Sequence, residues 1–169
     1  MMRFMIASLI TWPAAIMDIR LKKIPNLYIL PIALTGLISC SVRFGLKGLG
    51  LGLLNMMVSL LILIPLNVTG SIGAGDIKLM AAVSLIFTTR ESLYFIFLSF
   101  LAGAAWSLIR IARRKELIIR IYTLRDYLME CFREGKVKRY KSLGTENDVI
   151  PFGVCIFAGT LLLFVTEVW

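Results

Sequence analysis

A chain of 169 residues that is 59% hydrophobic and 17% charged is too apolar for an ordinary soluble domain, where about half and about a quarter are usual. The net charge of +9 comes with no histidine at all, which excludes Ser-His-Asp and Cys-His catalysis and removes the commonest zinc ligand. The three cysteines, Cys40, Cys131 and Cys155, form no C-x-x-C pair, so neither a zinc ribbon nor a disulfide framework is expected. Cys40 and Cys155 fall in apolar runs and read as small buried thiols.

The apolar residues come in blocks of membrane-span length. Residues 2–17 form a first block that Ile19 and Leu21 extend. It ends at Asp18 and a basic cluster without a small-residue cleavage site, so a retained first helix is expected rather than a signal peptide. Residues 27–42 form a second span and 48–69 a third, with Gly48, Gly50 and Gly52 suited to close helix contact. Residues 77–89 are a short fourth, 92–109 a fifth and 149–168 a sixth. The expected fold is all-α: one membrane domain over 1–169 with six transmembrane helices and a polar segment at 110–148.

With six spans both termini lie on one side. If they are outside, the loops 18–26, 70–78 and 110–148 face inward with 15 basic residues, leaving Arg3, Arg43, Lys47 and Arg90 outside. This bias orients the chain with those loops in the cytoplasm. Within 110–148, Leu117, Ile121, Leu124, Leu128 and Phe132 recur at helical spacing among Arg113, Lys115, Arg120, Arg125 and Arg133. That pattern predicts a basic amphipathic helix in the membrane interface. The basic run from Gly135 to Lys141 suits attraction to anionic lipid headgroups; no nucleic-acid-binding fold accompanies it.

Asp18 and Asp76 are separated by two predicted spans, so both face the cytoplasmic side. Asp76 follows Gly73-Ala74-Gly75 and precedes Ile77-Lys78. Glycines allow positive φ or a close backbone approach, and a helix start at residue 76 favours a carboxylate there. Asp18 ends the first span, where the dipole disfavours an anion; Arg20 and Lys22 are expected to oppose that. Two carboxylates at close range do not ionise together, so one holds a proton. Such a pair supplies a base that activates water and an acid that protonates the scissile group. Asp76 is expected to be the base. The competing reading for each is a helix-end residue in the headgroup zone. A Ser71–Lys78 dyad would leave the glycines and Asp18 unexplained. Asp126 reads as a solvated face residue, and Asp148 as a reserve candidate beside the last span. No cofactor or metal is required by these residues.

Three blocks resemble the type IV prepilin peptidases, the prokaryotic branch of the G-x-G-D aspartic membrane proteases. They are Asp18 followed by Ile24-Pro25-Asn26, Gly73-Ala74-Gly75-Asp76-Ile77-Lys78, and Ile150-Pro151-Phe152-Gly153 opening the last span. The resemblance implies that Asp18 and Asp76 are catalytic and that Gly73 and Gly75 shape a substrate loop with Lys78 beside it. Pro25 and Asn26 would start the second span, with Asn26 able to cap its amides. It further implies an inner-membrane enzyme that cleaves the basic leader of prepilin-like proteins on the cytoplasmic side, before an apolar helix. Without a domain of paired C-x-x-C motifs the chain resembles the short, peptidase-only members found in tight-adherence pilus systems, and methyltransferase activity is not expected. The alternatives are an archaeal preflagellin-type peptidase, a small transporter using Asp18 and Asp76 as a proton relay, and an inert pilus-assembly protein.

Overall fold

A computed structural model describes residues 2–22, 25–70, 72–114 and 151–168, together with Tyr122, Arg125, Asp126, Met129 and Arg133. The described residues are helical and contain no strand. The helices are α1 (Met2–Leu21), α2 (Asn26–Val68), α3 (Ala74–Ser84), α4 (Thr89–Arg114) and α5 (Phe152–Val168). Three segments are long and apolar enough to cross a membrane: Met2–Leu21, Gly45–Val68 and Thr89–Arg113. Leu27–Val42 and Phe152–Thr166 are shorter apolar helices.

The turn expected at 43–47 is reduced to a single break in α2. Gly45 adopts φ 60° and ψ −144°, outside the helical region. In a straight helix, Cys40 and Gly52 would lie about 18 Å apart. Instead a Cβ added at Gly52 would lie 2.9 Å from the Cys40 sulfur, so the chain folds back at Gly45 into two antiparallel arms. Only glycine takes this backbone conformation without strain.

The helical runs therefore alternate in direction. Phe4 of α1 meets Phe87, and Phe87 meets Phe95, with ring centroids 5.6 and 5.5 Å apart. Phe4 also approaches Phe164 at 6.4 Å, so α5 runs antiparallel to α1. Thr11 and Thr160 share a hydrogen bond of 3.1 Å midway along that seam. Between α4 and α5, Gly159 of α5 admits the Ser99 hydroxyl where a side chain would collide, and Gly103 of α4 lies against Phe152. Small residues thus set the close packing that van der Waals contact requires in lipid. At the Phe4 end of the bundle Arg3 pairs with the buried Glu91, which also accepts the Thr88 N–H at 2.9 Å, closing the start of α4 as an N3 carboxylate does.

The central element is α3, and it departs from the predicted span 77–89. It has 11 residues, a length of about 16 Å, roughly half of a bilayer core of about 30 Å. Residues 79–87 are all buried, and turns at Leu85 to Phe87 replace the last part of the expected helix. A helix end buried in lipid leaves carbonyls without partners. Neighbouring side chains supply them: Ser92 donates to Ser84 O at 3.2 Å, Cys40 to Leu85 O at 2.7 Å and Asn55 to Phe87 O at 2.8 Å. Thr89 in turn donates to the Asn55 amide oxygen at 2.6 Å.

Replacing Asn55 by Leu strips a buried carbonyl of its donor and leaves the Thr89 hydroxyl without its acceptor. The expected loss is about 1–3 kcal/mol, seen as a lower Tm in detergent by intrinsic fluorescence. An unchanged Tm would show that the α3 terminus does not depend on this bond.

Candidate active site

Asp18 lies on the buried face of α1 with Phe4, Ala7, Thr11, Ala14 and Ala15. Three- and four-residue spacing directs this face toward α5. The α1 C-terminus by itself is a poor place for an anion. The N-terminus of α5 offsets it: the Gly153 N–H, in the first turn of that helix, donates to Asp18 Oδ2 at 2.7 Å. An amide at a helix start is a ready anion site. Arg20 is exposed and Lys22 borders the cavity at Asp18; the hydrogen-bond donor seen at the Asp18 carboxyl is the Gly153 amide.

The fit at Gly153 is close. A Cβ there would stand 2.8 Å from Asp18 Cβ and 3.0 Å from Asp18 Oδ2, distances that no real side chain adopts without a shift. The role of Gly153 was not separable in the sequence from the rest of the Ile150–Gly153 block. The available signal was its spacing: a proline two residues ahead of it starts the helix and a glycine in the first turn leaves room above the amide.

Asp76 sits at the third position of α3, whose N-cap is Gly73. Its own carboxyl group bends back to the Gly73 backbone N–H in the geometry of a capping box. Gly73 has φ −67°, so positive φ is not what it supplies. It supplies clearance, since a Cβ would lie 3.0 Å from Asp76 Oδ2. Gly75 is the second helical residue and Lys78 is exposed. Asp76 precedes the buried part of α3 and lies outside the three candidate spans. Burial pushes its carboxyl up to about 7, the charge of Asp18 adds to the rise, and the Gly73 N–H opposes it.

The charges of both aspartates also reach the Cys155 thiol, one turn into α5. The starts of α3 and α5 and the end of α1 therefore converge at one end of the bundle. Asp18 opens outward through a cavity of about 80 Å³ walled by Ile19, Lys22 and Pro151.

Pro25 and Asn26 lie at this same end, with a corrected assignment. Pro25 is the N-cap of α2, without a side-chain cap bond, and Asn26 is the first helical residue. The Pro25 carbonyl accepts the Tyr28 N–H at 3.0 Å, and the Tyr28 hydroxyl donates to Ile10 O at 2.9 Å, tying this entry to α1. Asp126 is exposed and pairs with Arg125 at 3.0 Å, as a solvated face residue does. Ser71, Asp148, the basic run 135–141 and most of the predicted interfacial helix 117–132 lie outside the described residues. Among the described residues no cluster of His, Cys, Asp and Glu is arranged to hold a metal.

The model of the type IV leader peptidase family matches residues 4–108, more than half of the chain and inclusive of Asp18 and Asp76. The chain belongs to the type IV leader peptidase family. No curated protein and no solved structure matches it significantly. Membership supports a prepilin-type protease, and with the long apolar helices it points to a membrane protein.

Gly153→Val is expected to separate the site from the fold. The added side chain forces the α5 start away from Asp18, and displacement of about 1 Å at a reacting group costs about 10²-fold in rate. Expression and Tm should fall far less than peptidase activity; wild-type activity in Gly153→Val would remove the Asp18–Gly153 contact from the site.

Proposed function

We propose that this protein is an aspartic endopeptidase that cuts the basic leader from prepilin-like proteins at the cytoplasmic face of the prokaryotic inner membrane. The observation that carries the reading is the convergence of Asp18 and Asp76 from separate helices at one end of the bundle, close enough for the charge of one to act on the other. The family match supports the substrate class. The excess of lysine and arginine in the loops at that end supports its cytoplasmic orientation, with anionic lipid headgroups as its surroundings. Membership of a peptidase family speaks against the proton-relay alternative.

The contacts support a division of labour opposite to the one expected from sequence. Asp18, held by the Gly153 amide, is the ionised member and the base. Asp76, raised to about 7, is the protonated member and the acid. Asp18 removes a proton from water as the water oxygen attacks the scissile carbonyl carbon. Asp76 gives its proton to the carbonyl oxygen, so the tetrahedral intermediate is neutral. Collapse breaks the C–N bond, returns a proton to Asp76, and passes the proton on Asp18 to the leaving nitrogen. Gly73 and Gly75 allow the substrate backbone to lie extended against the start of α3. Lys78 stands beside that loop, and Pro25 with Asn26 holds the entry of α2 next to it.

A cleavage assay in membranes with a prepilin-like substrate tests this directly. Asp18→Asn and Asp76→Asn should each lower kcat by about 10³-fold or more, while Asp126→Asn retains it. Full activity in either of the first two would refute the dyad.

The pH dependence follows from Asp76. The reaction needs its proton, so kcat/KM should fall about tenfold per pH unit above about 7. The same shift has a stability consequence. A carboxyl raised in the folded state favours folding most below its unfolded value of 3.8, and this contribution is lost as pH rises through about 7. Asp76→Asn should therefore raise Tm at pH 8 and change it little at pH 5. A variant without that pH difference would contradict the burial of a proton on Asp76.

A further inference from the structure

We infer that the seam between α1 and α5 is the docking trough for the apolar helix that follows the scissile bond of the substrate. This rests on the peptidase reading above and extends it to how the substrate is held.

Two cavities lie along that seam. One is the opening at Asp18, walled by Ile19, Lys22 and Pro151. The other, of about 300 Å³, is walled by Met5, Leu9 and Trp12 of α1 and by Phe157, Leu161 and Phe164 of α5. On α1 the wall residues are joined by Ile16 and Ile19 into the series 5, 9, 12, 16, 19. Spacing of three and four keeps this series on one face, and all five side chains are exposed. On α5 the residues 157, 161 and 164 repeat the same spacing. Two apolar stripes thus border the larger cavity, with Ser8 also in its lining, and the exposed Ile16 and Ile19 carry the α1 stripe on to the opening at Asp18.

The trough has a direction. It begins beside the carboxylate and runs toward the end where Phe4 meets Phe164. From Ile19 to Met5 it covers fourteen helical steps, about 21 Å, enough for about four turns of a second helix. A peptide bond placed at Asp18 leaves the residues on one side of it in the cytoplasmic zone near Lys22, and those on the other side along the trough. Only an apolar helix suits the second position, because the hydrocarbon-facing walls offer almost no partner for backbone or side-chain polar groups. A basic segment suits the first, outside the hydrocarbon. The order "polar and charged, then cut, then apolar helix" is therefore built into the position of Asp18 at the head of the trough.

A larger cavity of about 510 Å³ between α1 and α2 is walled by Met2, Arg3, Ile6, Thr35, Ile38, Ser39 and Val42. It lies at the far end of α1, about 22 Å from Asp18 along the helix, and carries Arg3, Thr35 and Ser39. Those polar walls at the end of α1 remote from Asp18 do not fit an apolar helix that starts at the carboxylate.

The test uses the full chain in proteoliposomes with a single-span substrate bearing a basic leader. In an Asp18→Asn background, a photoreactive phenylalanine analogue replaces Leu9 or Leu161 in the trough, or Leu34 on the α2 surface as a control. The expected result is cross-linking to the substrate helix from residues 9 and 161 and none from residue 34. In the active enzyme, Leu9→Trp and Leu161→Trp narrow the trough and should raise KM about tenfold with kcat little changed. Cross-links from 9 and 161 to lipid or to a second copy of the enzyme, with substrate captured elsewhere or not at all, would overturn the trough. So would an unaltered KM in both tryptophan variants. These results would leave the peptidase reading intact provided wild type cleaves and Asp76→Asn does not. Failure of wild type to cleave any leader-bearing substrate would overturn both.

Discussion

The arrangement depends on a single helix-to-helix contact, the Gly153 amide on the Asp18 carboxylate. An anion at the C-terminal end of α1 is opposed by that helix's own dipole and by its distance from bulk water. The N-terminus of α5 reverses the local field and provides a directed donor. The price is steric, because the two helices meet so closely that residue 153 has no room for a Cβ. A glycine there is a condition of bringing the α5 amide onto the buried Asp18 carboxyl. It also brings the opening bounded by Pro151 and Lys22 to the same carboxylate, so the contact that stabilises the charge also leaves it an outlet.

A second constraint concerns α3. A helix that carries Asp76 at one end and stops inside the bundle has to satisfy its termini without water. At its start the Asp76 carboxylate serves the Gly73 amide, so the catalytic candidate is also the cap of its own helix. At its finish Cys40, Asn55 and Ser92 serve carbonyls from α2 and α4. The shortness of α3 is thus a consequence of cross-helix hydrogen bonding, and it lets the chain pass from the carboxylate end to the Phe4–Phe87–Phe95 cluster in a compact segment that is buried from Leu79 to Phe87. The opposite end is closed by the Arg3–Glu91 pair, which keeps the polar chemistry of the two ends separate.

The two carboxylates sit in unlike settings: one met by a helix N-terminus contributed from afar, the other capping its own helix and half-buried. Dissimilar surroundings are what let one residue type act as both acid and base. The charge of Asp18 adds to the effect of burial at Asp76.

Local sequence determined the helical blocks, because lipid demands long apolar runs with every backbone group satisfied within the segment. It also pointed to Asp18 and Asp76 at one end of the bundle, since two apolar blocks, an out-and-back pair, separate them, and to residues 73–78 as a special start to a helix. The buried Cys40 and Cys155 and the solvated Asp126 were likewise readable from their neighbours. Pairings across the chain were not. Gly153 and Asp18 are 135 residues apart, and no spacing rule links the start of one helix to the end of another. The fold-back at Gly45 replaced a predicted five-residue loop because one positive-φ residue suffices when Cys40 and Gly52 can pack directly. The end of α3 at Ser84 was hidden because residues 85–87 are as apolar as those before them; hydrogen bonds from other helices, which only the tertiary structure creates, decided where that helix stops and which backbone amide meets Asp18.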